Sequence, residues 1–229
     1  MKLKNSLLDT TLAQECYAKI QDDILDGIFS PGQKLKITKL KDQLQSGQSA
    51  VREALSRLVT TGLVEAEDNK GFRVTKISES DIRDIYQTYL DIELLAVTKA
   101  MKLGDDAWQG KIVGALYELA LVENGTKPPS YEIWMERNYN FHVALISGCN
   151  SPALMQIRSD IYRRFDRYCR ISFNLNTDLK QLTANHQEHQ ELAQAVLNRD
   201  AKKVEKLMTY HIMGSLEDVI KQLKINNLL

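Results

Sequence analysis

No apolar run in this chain of 229 residues approaches the roughly 20 residues that a membrane-spanning helix needs. A membrane-embedded protein is therefore not expected. Residues 1–5 are basic, but residues 6–11 turn polar too soon to form the apolar core of a signal peptide, so the expected compartment is the cytoplasm. Cysteine is scarce. Cys16, Cys149 and Cys169 are odd in number, widely spaced and form no CxxC pair. This excludes a disulfide framework and a thiolate zinc site, and leaves buried thiols as the expectation. Net charge is absent as well, with 30 basic against 30 acidic residues. A protein that coats nucleic acid through bulk charge is excluded, but a compact DNA reader needs only a few basic groups facing phosphates. Residues 1–76 hold 12 Lys/Arg and 10 Asp/Glu, a surplus of two too small to argue from. There is no internal repeat, low-complexity tract, HExxH motif, nucleophile elbow or glycine-rich phosphate loop.

What is present is an ordinary globular composition, 43% apolar and 26% charged, enough for a real core in one large domain or two small ones. Apolar positions at helical spacing predict a first helix over residues 11–26, stopped by Gly27 and followed by a Pro31-Gly32 turn. A short helix follows over 37–44. A third begins near Ala50, with Ser49 as its cap, carries Val51, Ala54, Leu55 and Leu58 inward, and ends at Gly62. Residues 63–67 and 72–76 read as two strands of a hairpin around Asp68-Asn69-Lys70-Gly71. Three short helices and a hairpin are the element order of a winged helix-turn-helix. Beyond residue 76 only helical patterns recur, over about 78–102, 106–123, 130–147, 151–171, 178–198 and 200–224. The expected fold is mostly α: a winged helix-turn-helix over 1–77 and an all-helical bundle over 78–229.

In a helix-turn-helix the second helix of the pair enters the major groove and presents the side chains near its start. Here that start is Gln48-Ser49-Ala50-Val51-Arg52. Gln48, Ser49 and Arg52 fall on the face opposite the apolar one. Arginine can fork to guanine or clamp a phosphate, and glutamine can pair with adenine. Lys70 and Gly71 at the wing tip can approach the backbone or the minor groove. On spacing alone, Arg52 pairing with a neighbouring carboxylate on a solvated helix is an equal alternative.

All four histidines lie in the second half. Asn138 and His142 share one helix face, and His189 and His211 belong to two other helices. Imidazoles projected into a bundle can hold zinc or a similar divalent ion; scattered histidines are the alternative.

Residues 17–76 resemble the DNA-binding domain of the GntR family of bacterial regulators. The resemblance rests on Ile24-Leu25-Asp26-Gly27, Pro31-Gly32-Gln33-Lys34-Leu35, Val51-Arg52-Glu53-Ala54-Leu55-Ser56-Arg57-Leu58, Gly62-Leu63-Val64-Glu65 and Gly71-Phe72-Arg73-Val74, in that order. Many relatives carry arginine where this chain has Thr38 and Gln48, so the common operator sequence is not implied; Lys36, Lys39 and Lys41 are the substitute phosphate contacts. Residues 79–220 resemble the FCD effector domain of the FadR branch, through Phe141-His142, Gly148-Cys149-Asn150, His189 and His211. That resemblance implies a divalent metal among His142, His189, His211 and the residue at 138, holding a small carboxylic acid. The family's Asp is Asn138 here, which keeps an oxygen and loses a charge, so metal affinity is expected to fall. His186 lies off the set and is expected to be a solvated neighbour. The family's arginine four residues before Glu93 is Tyr89 here. The acid then needs another cation, and among Arg163, Arg164, Arg167 and Arg170 the choice falls on Arg167; Tyr89 is the second residue expected at the effector.

The resemblance thus implies a ligand-responsive, homodimeric repressor of operator DNA relieved by a small carboxylic acid. A regulator that senses the metal itself and a metal-dependent enzyme are the alternatives.

Overall fold

The computed structural model describes residues 11–67, 71–127, 129–175 and 179–229, with side chains from 171 to 184 left aside. The chain forms two compact units that divide between Ile77 and Ser78.

In the first unit, α1 (Leu12–Leu25) starts at Thr11, whose hydroxyl accepts from the Gln14 N–H at 3.2 Å. A two-residue strand β1 (Lys34–Leu35) precedes α2 (Ile37–Gln43) and α3 (Gln48–Thr60). Strands β2 (Val64–Glu67) and β3 (Gly71–Val74) pair antiparallel with Val64 opposite Val74. β1 adds to the far side of β3, with Leu35 opposite Phe72, giving the order β1-β3-β2. β1 was not expected: two residues are too short to show a period of two. The cap of α3 also differs from expectation. Gly47 precedes the helix, which begins at Gln48, and Ser49 stands exposed in the first turn. The N–H groups of a first turn need no partner within the helix, so exposed to water they do not require a side-chain cap. Gly62 sits at φ +74 just after α3, in the left-handed region a side chain would disfavour, and turns the chain into β2. Ile20, Val51, Ala54, Leu55, Leu58 and Val74 are fully buried and form the core on which α1 and α3 pack.

Among its described residues the second unit has no strand and is built of helices joined by short connections: α4 (Glu79–Leu103), α5 (Asp106–Glu123), α6 (Tyr131–Ile146), α7 (Pro152–Leu175), α8 (Leu179–Leu197) and α9 (Ala201–Ile225). Ser78, Asp105, Ser130 and Asp200 cap four of these helices, each side chain accepting a first-turn N–H. α4 runs through the bundle and packs against α6, α7, α8 and α9. Its Tyr89 stacks on Phe165 of α7 with ring centroids 4.4 Å apart. Trp108 pins α5 to α6 by donating Nε1–H to the Ala144 carbonyl at 3.0 Å. Gly104 and Gly148 flank this indole. A Cβ on Gly104 would stand 2.1 Å from the ring, so that position needs the bare backbone, while one on Gly148, at 3.0 Å, would press the ring by a few tenths of an ångström.

Candidate functional site

On the DNA-binding side, packing fixes which face of α3 is free. Val51, Ala54, Leu55 and Leu58 are fully buried, so Gln48, Ser49 and Arg52 point out and are exposed. Lys36 and Lys39 of the preceding segment are exposed too. Other arginines of this unit are engaged inside it: Arg57 lies 4.7 Å from the Tyr17 ring, and Arg73 binds Glu67 at 2.9 Å and the Gly32 carbonyl. Gly71 opens β3 at φ +95. Lys70 lies outside the described residues.

The bundle brings His142 of α6, His189 of α8 and His211 of α9 together, each offering one nitrogen within 4.8 Å of the others. His189 and His211 turn their Nε2 atoms toward each other at 3.3 Å. Two nitrogens bound to one tetrahedral zinc, each about 2.05 Å from it, stand roughly 3.3 Å apart. The opposite nitrogens are held by carboxylates. His189 Nδ1 straddles the two Glu123 oxygens at 3.1 and 3.2 Å, and His211 Nδ1 meets Glu188 at 2.7 Å. A carboxylate behind a histidine fixes the tautomer that leaves Nε2 free to ligate.

Two further atoms strengthen the fit. The Nδ1 of His142 and the Oδ1 of Asn138, one helical turn apart on α6, are buried without a hydrogen-bond partner. A buried polar atom left unmade costs about 1–3 kcal/mol, which a bound ion would offset. The residues present therefore suit a divalent ion, with three imidazole nitrogens and one amide oxygen.

The electrostatics agree with neutral ligands. Burial pushes the pKa of His142 well below the ordinary histidine value, and the neighbouring His211, His189 and Arg158 push it the same way. Burial likewise lowers His189, with His211 adding to it. Glu123 is pushed up to about 7 by burial, moderated by the Trp134 N–H and His186. His186 departs from expectation: it is only 8% exposed, with Nδ1 3.3 Å from Glu123 but outside hydrogen-bond geometry. It lies three residues before His189, on the same inward face of α8.

The two residues expected to meet the effector, Tyr89 and Arg167, are both buried. Tyr89 of α4 is buried and its hydroxyl accepts from Nη2 of Arg158 at 2.9 Å. Arg158 also donates Nε–H to Glu93 at 2.7 Å, and the pair is 1% and 0% exposed. Arg158 was not among the residues singled out from the sequence, and neither was Glu123. Arg167 is buried further along α7, its guanidinium 5.9 Å from the Tyr168 ring. Nine residues are about two and a half helical turns, so Arg167 faces away from the side of α7 that carries Arg158. Cys16 and Cys149 are buried, and Cys169 sits 3.6 Å from the Tyr86 hydroxyl; all three are free thiols.

A winged helix-turn-helix in one unit, and a buried histidine cluster inside a helical bundle in the other, define a class: DNA-binding transcription regulators that respond to a ligand. The comparisons agree. Residues 12–74 match the bacterial regulatory proteins of the gntR family, and residues 84–214 match the FCD domain. The HTH-type transcriptional regulator BphR of Paraburkholderia xenovorans (strain LB400) is 31% identical over 93% of this chain and 86% of its own length. The HTH-type transcriptional repressor GlaR of Escherichia coli (strain K12) is 30% identical over 95% of this chain and its full length. Among solved structures, E. coli McbR/YncC superposes with a TM-score of 0.74 at 18% identity, covering 93% of this chain and 98% of its own.

The chain belongs to the GntR family of transcription regulators, in the FadR branch whose second domain is FCD. It is a ligand-responsive DNA-binding regulator, and membership of that family speaks against an enzyme. Among the described residues no helix is long and apolar enough to cross a membrane.

Proposed function

We propose that this protein is a cytoplasmic, homodimeric repressor that leaves its operator when a small carboxylic acid binds the second unit. The observation that carries the reading is the meeting of His142, His189 and His211, backed by Glu123 and Glu188. These three histidines, with Asn138, would hold a divalent ion such as zinc, which supplies a positive centre for a carboxylate. The chain's own part is to keep His142 and His189 neutral by burial and to orient His189 and His211 through the two glutamates.

Gln48, Ser49 and Arg52 would meet base edges and phosphates, with Lys39 and the wing residues Lys70 and Gly71 on the backbone. A two-fold dimer would match a pseudo-palindromic operator. The exposed apolar face of α5, with Val113, Tyr117 and Leu121 at helical spacing, supports a second copy as its cover.

The test is fluorescence anisotropy on DNA from upstream of the protein's own gene. Zinc-loaded protein should bind the DNA, and one of a set of small mono- and dicarboxylates should release it. His189→Ala should still bind DNA, lose zinc affinity by roughly 10-fold or more, and no longer respond to the acid. Zinc retained by this variant as well as by the parent overturns the site assignment. Release by zinc alone would make the ion the signal.

A further inference from the structure

The guanidinium of Arg158 is the most deeply buried positive charge among the described residues, at 1% exposure. Three of its edges can be followed. Nε–H goes to Glu93 at 2.7 Å and Nη2–H to the Tyr89 hydroxyl at 2.9 Å. Nη1 has no partner and no contact with solvent. Tyrosine rings line the group: Tyr139 lies 4.8 Å from it, Tyr162 4.9 Å and Tyr89 5.5 Å. Tyr139 stands on α6 between Asn138 and His142, so the arginine borders the segment that carries those two residues. Its charge reaches His142.

These contacts do not complete the arginine. A guanidinium has five N–H donors and satisfies carboxylates in a planar fork. Here one carboxylate and one hydroxyl fix two edges, and the third edge is left dry and unmade. Nearby, the Oδ1 of Asn138 and Nδ1 of His142 are also buried and unmade. A buried guanidinium with an open donor, against the α6 segment that carries two of the residues suited to a cation, has the charge and the free N–H that an anion needs.

We propose that Arg158 is the anion anchor of the effector site. Its Nη1 takes one carboxylate oxygen of the acid, while Glu93 and Tyr89 hold the guanidinium in position. This assigns the anchor to α7 rather than to α4, and to Arg158 rather than Arg167. The proposal rests on the carboxylate reading given above. It accounts for Tyr89 on α4: the tyrosine hydroxyl orients an arginine that arrives from the neighbouring helix.

The experiment uses the full chain loaded with equimolar zinc, titrated calorimetrically with acetate, lactate, malonate, succinate, glutarate and citrate. Arg158→Lys keeps a charge facing Glu93 but cannot reach both Glu93 and the acid. Arg158→Met/Glu93→Leu removes the pair together. Arg167→Met is the contrast. The best-binding acid should lose roughly 10-fold or more in affinity in the lysine variant, because a hydrogen bond to a charged group is removed. It should show no saturable binding to the double variant and parent-like binding to Arg167→Met. Zinc affinity, measured by chelator competition, should stay within a few-fold throughout. A residue with only a structural role would leave acid affinity intact in a double variant that still folds and takes zinc. If the double variant does not fold, the lysine variant decides alone. Parent-like acid affinity in the Arg158 variants overturns the anchor and leaves the carboxylate reading standing. An affinity lost in Arg167→Met and kept in Arg158→Lys also overturns it. No acid binding to the parent overturns the carboxylate reading, and the anchor with it.

Discussion

Replacing Arg158 by methionine should destabilise the second unit far more than the loss of one surface ion pair. The pair it makes with Glu93 is 2.7 Å long, with side chains 1% and 0% exposed. Glu93 Oε2 already lacks a partner, so the variant would leave an entire carboxylate buried without compensation. Breaking a buried pair from one side costs about 3–5 kcal/mol. For a protein of this length each kcal/mol moves the unfolding temperature by roughly 2–4 °C, so a fall of roughly 10 °C is expected. Removing both partners, as in Arg158→Met/Glu93→Leu, should bring stability back to within about 1 kcal/mol of the parent, because well-packed apolar groups often replace a buried pair at no loss. The assay is urea unfolding followed by tryptophan fluorescence. The chain's two tryptophans, Trp108 and Trp134, both lie in the second unit, so the signal reports that unit alone. A single variant within 1 kcal/mol of the parent, with a double variant no better, would refute the reasoning.

Two other perturbations address the sites directly. Arg52→Ala should weaken operator binding by about 1–3 kcal/mol, roughly 5- to 150-fold, in a gel-shift titration; equal affinity rules out a base contact. Glu123→Gln keeps the shape behind His189 but removes the charge, and should lower zinc affinity by roughly 10- to 100-fold in a chelator competition, with unchanged affinity counting against the carboxylate's role.

Much of this molecule was legible in its sequence, for reasons that can be named. The helices of the second unit begin at Ser78, Asp105, Ser130 and Asp200, and side-chain caps are local chemistry. The buried face of α3 follows from the spacing of Val51, Ala54, Leu55 and Leu58. The histidine cluster was legible through family spacing, since no local pattern joins three helices. What failed to show depends on packing. Arg158 is one of several arginines on α7, and only the rotation of the helix within the bundle decides which of them meets Glu93. Glu123 ends a helix that is apolar almost all round, so nothing in its neighbourhood marks it as the residue that turns inward to His189. His186 carries no sign of burial until α8 is set against α5.

The central claim is that acid and operator compete through one equilibrium. Linkage requires the two effects to be equal: whatever factor the acid takes from operator affinity, the operator must take from acid affinity. The direct measurement is a calorimetric titration of zinc-loaded protein with the releasing acid, in the absence and then the presence of saturating operator DNA. The account predicts weaker acid binding in the second titration, by the factor seen in the anisotropy experiment. Identical acid affinities in the two titrations would contradict it.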